Sequence, residues 1–255
     1  RIIGSKKSLS VAAALKATKS WTVALFAPTK GGNSGVEALA AESAFQLVNN
    51  ETVSLNEYSS PEYLNDLAEY FTVVFGNNYL LTECSRVGVL FHYGDFPQNI
   101  REVIEDSLRK GKIRLVICTN TLAEGVNLPI KTIVIHSARR YNPDAVGRYS
   151  PLKTRDLKNL VGRAGRAGKE TKGLVIVTDP KDFDIIRNLI SAENVEPVTG
   201  QLFYIVNLIT RYLERKQLVI SNEILDKLSG ELQELLDSID VSMIDLLAEE
   251  VEIEK

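Results

Sequence analysis

Short apolar runs without polar alternation recur along this chain, separated by segments of helical period, and no other feature restricts its fold as much. Thr22–Ala27 (TVALFA, closed by Pro28), Val87–Phe91 (VGVLF), Ile113–Cys118 (IRLVIC), Thr132–His136 (TIVIH) and Gly173–Thr178 (GLVIVT) read as strands. Successive side chains of a strand point to opposite faces, so such runs need cover on both sides. Between them, Val36, Leu39, Ala40, Ala44, Leu47 and Val48 recur at helical spacing. Ser60 with Pro61 starts another helix, with Leu64, Leu67, Ala68 and Phe71 on one face. Pro97 opens a third, carrying Ile100, Val103, Ile104 and Leu108 and ended by Gly111, and a fourth is expected near Thr154–Arg163. Strands alternating with helical crossovers predict an α/β fold, a parallel doubly wound sheet with helices on both faces. Ligands of such sheets bind beyond the carboxyl ends of the strands. The loops after Ala27, Phe91, Cys118 and His136 are therefore the candidate site.

After about Pro197 the pattern changes. Gln201–Lys216 is amphipathic, and Glu231–Lys255 is strongly acidic. We expect a sheet domain over residues 1–197 and a small all-helical segment over 198–255, either a tail or the start of a further domain. The chain opens on Arg1 and its one methionine is Met243, from which we expect a piece of a longer protein. No run approaches the ~20 apolar residues of a membrane-spanning helix, and no basic-then-apolar leader opens the chain. Two cysteines, Cys84 and Cys118, suit a reducing, cytoplasmic setting. Two histidines on separate segments argue against a metal site. The net charge of −3 does not advertise a nucleic-acid binder, but net charge is silent on where charges sit.

Two segments carry chemistry. In Asn159–Gly168 (NLVGRAGRAG), Arg163 and Arg166 lie three apart on one helical face, with Gly162, Ala164, Gly165 and Ala167 clearing space around them. Arginine is always charged and forks onto two phosphate oxygens. A surface helix with ordinary salt bridges would not require repeated glycine, which costs about 0.5–1 kcal/mol against alanine at each helical position. Phosphate recognition is the better reading. In Cys118–Pro129 (CTNTLAEGVNLP), Thr119, Asn120 and Thr121 place hydroxyl and amide groups at the end of a buried strand, followed by Gly125 and Asn127. By itself this is also what an ordinary polar loop in such a sheet would look like.

In this order, ICTNTLAEGVNLP and LVGRAGRAG resemble motifs V and VI of the superfamily 2 helicases, nearest their superkiller (Ski-like) and DExH branch. GVLFHYGDFPQNIREVIEDSLRKGKIRLVICT resembles the stretch that leads into motif V, and the similarity runs from about Trp21 to Thr178. The resemblance implies the second of two RecA-like motor domains in an ATP-dependent enzyme acting on DNA or RNA. It assigns Arg163 and Arg166 to the γ-phosphate of ATP, as arginine fingers. Gly125, Asn127 and Gly162 would stand beside the nucleotide. Thr29, Lys30, His92, Thr119, Asn120 and Thr121 would face the nucleic-acid strand, although His92 reads equally well as a structural histidine. Asn159 stands where relatives often have glutamine. Thr29–Gly35 (TKGGNSG) falls at motif IV as a glycine-rich loop without the order of a P-loop.

Absences matter as much. The sequence has no G-x-x-x-x-G-K-[ST] run, since Gly111-Lys112 is followed by Ile113, and no strand ends in an Asp-Glu box for Mg²⁺. ATP with Mg²⁺ is therefore expected to be held mainly by a preceding motor domain, and this chain alone is not expected to hydrolyse it. Arg139–Lys158 is basic, with turn residues at Asn142-Pro143-Asp144 and Gly147. In the resembled branch this connection often forms a β-hairpin that parts the duplex, which adds Arg139 and Arg140 to the candidate nucleic-acid contacts. Two other readings stay open: a translocase that moves without parting strands, and a non-catalytic nucleic-acid-binding scaffold.

Overall fold

The hydroxyl of Ser5 accepts from the backbone N–H of Ser8 at 3.1 Å and opens α1, Lys6–Ala17. The structure, a computed structural model, describes residues 4–49, 54–55, 57–120, 128–143, 145, 147–162, 164 and 173–191. The amphipathic and acidic segments after Pro197 lie outside them. After α1 come β1 (Val23–Phe26), α2 (Val36–Asn49), α3 (Pro61–Phe75), α4 (Leu80–Arg86), β2 (Val89–His92), α5 (Gln98–Arg109), β3 (Leu115–Cys118) and β4 (Thr132–Ile135). The chain continues through β5 (Arg139–Tyr141), β6 (Tyr149–Pro151), α6 (Thr154–Val161), β7 (Leu174–Val177) and α7 (Pro180–Ser191).

Five strands form one sheet in the order β2-β3-β1-β4-β7, every pair parallel. All residues of β1, β2, β3 and β4 are buried, which a strand with alternating side chains achieves only with cover on both faces. This is the RecA-like α/β arrangement expected above. From β1 the chain goes to β2 on one side, and from β4 to β7 on the other. A sheet whose connections diverge in this way opens a crevice at the carboxyl ends of the diverging strands. The bond from His136 N–H to Phe26 C=O (3.1 Å) ties those two ends together.

Pairing of α3 with α4 closes an aromatic cluster over β2. Phe75 stacks on Tyr79 at 4.5 Å and Tyr93 on Phe96 at 4.2 Å, with Phe91 beneath. Ser60 caps α3 by accepting from Tyr63 N–H at 3.2 Å, with Pro61 in the first turn. Ser60→Ala is expected to cost about 1 kcal/mol of stability, read as a lower denaturant midpoint with an unchanged slope. Cys84 and Cys118 are free and buried, and burial pushes both thiols up to about 12, so neither is a reactive thiolate.

Candidate functional site

Parallel strands bring their carboxyl-end loops to a single edge of the sheet, and most of the described candidates stand there. After β1, the loop from Pro28 to Gly35 folds back on itself. The N–H groups of Gly35, Val36 and Glu37 are bonded to the carbonyls of Gly32, Thr29 and Lys30. Those amides are thus committed within the loop, and a phosphate cradle cannot use them. A Cβ on Gly35 would clash with the carbonyl oxygens of Gly31 and Lys30, so the turn requires glycine there. Thr29 Oγ1 donates to Gly31 C=O at 3.0 Å. Lys30 is exposed, its ammonium 4.5 Å above the Tyr93 ring and 3.1 Å from Asp95. The hydrogen bond to Asp95 raises its pKa. An exposed pair of this kind is weak and exchanges readily for a phosphate.

His92 closes β2, and it does not face solvent. At 1% exposure it is a core residue, which corrects its assignment to the nucleic-acid face. Burial, then the Arg101 charge, depress its pKa to about 4, despite Glu105 Oε1 at 3.3 Å from Nε2. Burial also raises the pKa of Glu105, weakening its carboxylate as a counter-charge. Its ring lies in the core at the end of β2, beside Glu105 of α5.

Thr119 and Asn120 follow β3, and the N–H of Thr119 bonds to the carbonyl of His92 at 3.2 Å, joining two of the loops. Asn120 Oδ1 is buried without a hydrogen bond. Phosphate oxygens only accept hydrogen bonds, so the amide NH₂ is the end of Asn120 suited to a backbone phosphate. Thr121, Gly125 and Asn127 lie outside the described residues, as do Arg163 and Arg166. What carries the two arginines is described. The helix α6 buries Leu157 and Leu160, and Gly162 forms its exposed carboxyl cap. The Ala164 backbone sits so close to Gly173, just before β7, that a Cβ there would clash with it. This close approach holds Ala164, just after α6, against the residue that precedes β7.

The basic segment after β4 forms an antiparallel ribbon, β5 with β6, in which Tyr141 pairs with Tyr149. Both rings are 57% exposed and meet edge to face at 6.0 Å. Arg140 is exposed on this ribbon. Arg139 is not a free strand contact. Its Nε donates to Asp182 Oδ1 at 2.7 Å and its Nη2 to Asp179 Oδ2 at 3.2 Å. That fork, chiefly the Asp182 bond, raises its pKa. Arg139, a candidate strand contact from its sequence, is thus paired with two carboxylates of the same domain.

Residues 66–168 match the family model described as the helicase conserved C-terminal domain. These residues are a helicase C-terminal domain. Part of the chain is 36% identical over 117 residues to the ATP-dependent DNA helicase MER3 of Saccharomyces cerevisiae, covering 46% of this chain and 10% of that protein. It is 34% identical over 108 residues to the ATP-dependent DNA helicase Hel308 of Caldivirga maquilingensis, covering 42% and 14%. The chain thus spans a small part of the length of these relatives. A solved structure, the DUF1998 helicase MrfA bound to DNA, superposes with a TM-score of 0.44 at 16% identity over 75% of this chain and 20% of that one.

The charged groups that sequence reasoning missed are Asp179 and Asp182, joined by Lys6 at 2.8 and 2.9 Å. Their signal was the pair of carboxylates three apart directly after an apolar run, in TDPKDF. Burial pushes Asp179 up, but hydrogen bonds from Lys6 and the Lys181 backbone, with the Arg139 charge, hold it below the ordinary carboxylate range.

Proposed function

We propose that residues 1–197 are the second RecA-like motor domain of an ATP-dependent DNA helicase, and that residues 198–255 begin a further helical segment. ATP with Mg²⁺ binds mainly to a preceding motor domain, and this domain closes on it. Arg163 and Arg166 place positive charge where negative charge develops on the transferring phosphoryl group. Gly162, Gly125 and Asn127 line the nucleotide side of the cleft. Thr29, Lys30, Thr119, Asn120, Thr121 and Arg140 hold one strand by its backbone, a grip that carries no sequence information. Loss of the γ-phosphate contacts lets the two domains part, and the strand contacts advance. Such a motor works inside the cell.

The observation that carries this reading is convergence. The loops after β1 and β3 open on one edge of a parallel sheet, within a chain whose matched segment is the helicase C-terminal domain. Relatives of part of this chain are named DNA helicases. Strand separation is favoured over bare translocation by the β5–β6 ribbon, since two exposed tyrosines are a stacking surface for bases, worth about 1–3 kcal/mol per base.

The test uses the full-length protein. ATP turnover is measured alone, with single-stranded DNA and with RNA, beside displacement of a labelled strand from a duplex with a 3′ tail. Stimulation by DNA with displacement supports the proposal. Stimulation without displacement identifies a translocase, and a lack of stimulation by either polymer identifies a scaffold.

A further inference from the structure

We propose that Asp182 is a positioning residue for the β5–β6 hairpin, holding the hairpin at its root through Arg139 so that the Tyr141–Tyr149 pair meets the duplex at a fixed angle. The proposal rests on the helicase reading for its purpose, but the anchoring can be measured without it.

The hairpin cannot hold itself in place. Each of its strands has three residues, and none of the six is buried. An isolated two-stranded ribbon is marginal in water. Among the described residues its turn carries local bonds, Asn142 N–H to Arg148 C=O at 2.9 Å and Arg148 N–H to Ala145 C=O at 2.9 Å, with Arg148 at φ 59°. The described contacts that can set its orientation are at the root.

The root is held at three successive positions. His136 Nδ1 lies 2.9 Å from Ser10 Oγ on α1, and the same oxygen lies 2.7 Å from Thr178 Oγ1 beyond β7. Ser137 Oγ bonds both ways to the Arg139 backbone, at 3.1 and 3.2 Å. Leu152 N–H bonds to Ala138 C=O at 2.8 Å. The guanidinium of Arg139 then forks onto Asp182 and Asp179 at the start of α7. Lys6, one turn before Ser10 on α1, takes the other oxygen of Asp182 and shares Asp179. The Asp182 side chain is fully buried, so its charge depends on these two cations. Arginine supplies the planar fork that fixes direction as well as distance.

Asp182 separates positioning from strand contact, because a buried anion cannot touch a phosphate backbone. If Arg139 acts by gripping nucleic acid, Asp182→Asn releases it and strengthens binding. If Arg139 acts as an anchor, the same change loosens the hairpin and slows unwinding.

The experiment compares the full-length protein with Asp182→Asn by amide hydrogen exchange and by strand displacement. Exchange at Asn142, Arg148 and Leu152 is expected to speed up about tenfold or more, while amides of β1 and β3 stay protected. Strand displacement is expected to fall about tenfold, with DNA-stimulated ATP turnover within about twofold of wild type, since the ATP contacts lie elsewhere. Unchanged hairpin exchange, or tighter DNA binding with faster displacement, overturns the proposal. If Asp182→Asn also loosens β1 and β3, Asp179→Asn, which removes the charge only from the outer arm of the fork, decides by the same criteria. A wild-type protein without nucleic-acid-stimulated turnover defeats the helicase reading, and the exchange result still stands or falls by itself.

Discussion

Arg166→Ala in the full-length protein is expected to leave ATP affinity near wild type while hydrolysis falls by about 10³–10⁵-fold. A fall of that size corresponds to about 4–7 kcal/mol of lost transition-state stabilisation. In the proposed motor most contacts to ground-state ATP fall to a preceding motor domain, since this sequence has no P-loop and no acidic box for the metal. In that proposal the arginine acts on charge that appears as the phosphoryl group transfers, so its removal is expected to lower turnover more than binding. The local frame supports a fixed approach: α6 buries Leu157 and Leu160, and Ala164 lies against Gly173. Arg166→Lys keeps a charge but loses the planar fork, so it should recover little. Single-turnover hydrolysis, measured beside nucleotide binding by fluorescence, reads both quantities. Turnover within tenfold of wild type would remove Arg166 from the finger role.

The sheet was legible because burial on both faces leaves a direct trace in the sequence. Val23–Phe26, Leu115–Cys118 and Thr132–Ile135 fall inside the apolar runs at Thr22–Ala27, Ile113–Cys118 and Thr132–His136. The first strong N-terminal helix signal, Ser60-Pro61, lies where α3 begins. The helices α1, α4 and α7 escaped for different reasons. Alanine-rich α1 and seven-residue α4 carry little amphipathic contrast. The amphipathic period of α7 follows so closely on β7 that the strand run dominated the reading.

Site residues were legible as positions but not as partners. A lone histidine after an apolar run reads equally as a ligand-facing or a buried group, and only the packing of α5 over β2 places His92 in the core. The basic run that contains Arg139 is a nucleic-acid patch by composition. The carboxylates that claim Arg139 are Asp179 and Asp182, 40 and 43 residues away along the chain. Pairing over that separation leaves no local pattern. Lys6 meets the same two carboxylates across 173 and 176 residues.

Acidification from pH 7.5 to 5 is expected to cost the folded domain about 4 kcal/mol, about 2 from each of His92 and His136. Both rings are 1% exposed, and both have folded pKa values depressed to about 4 from an ordinary 6.5. Burial is the main cause for each. The Arg101 charge adds to it at His92, and Lys6 outweighs Asp182 in its effect on His136. A group with a lowered folded pKa stays unprotonated in the native state while the unfolded chain takes up its proton. Stability therefore falls as pH drops through the window from 6.5 to 4, and is fully retained above it. The hydrogen bonds at His136 explain the preference for the neutral ring. With the Ser10 Oγ proton directed to the Lys6 carbonyl at 2.9 Å, the tautomer that fits carries its proton on Nδ1, 2.9 Å from Ser10 Oγ, and Nε2 is buried without a hydrogen bond. A proton on Nε2 would be a buried charge with no acceptor beside the Lys6 ammonium. Glu105, with its pKa raised by burial, works in the opposite sense toward the acid end of the window. Urea unfolding at half-unit steps of pH measures the slope directly. His136→Asn should remove about half of the loss between pH 7.5 and 5, and an unchanged slope in that variant would mean that the ring is protonated in the folded protein.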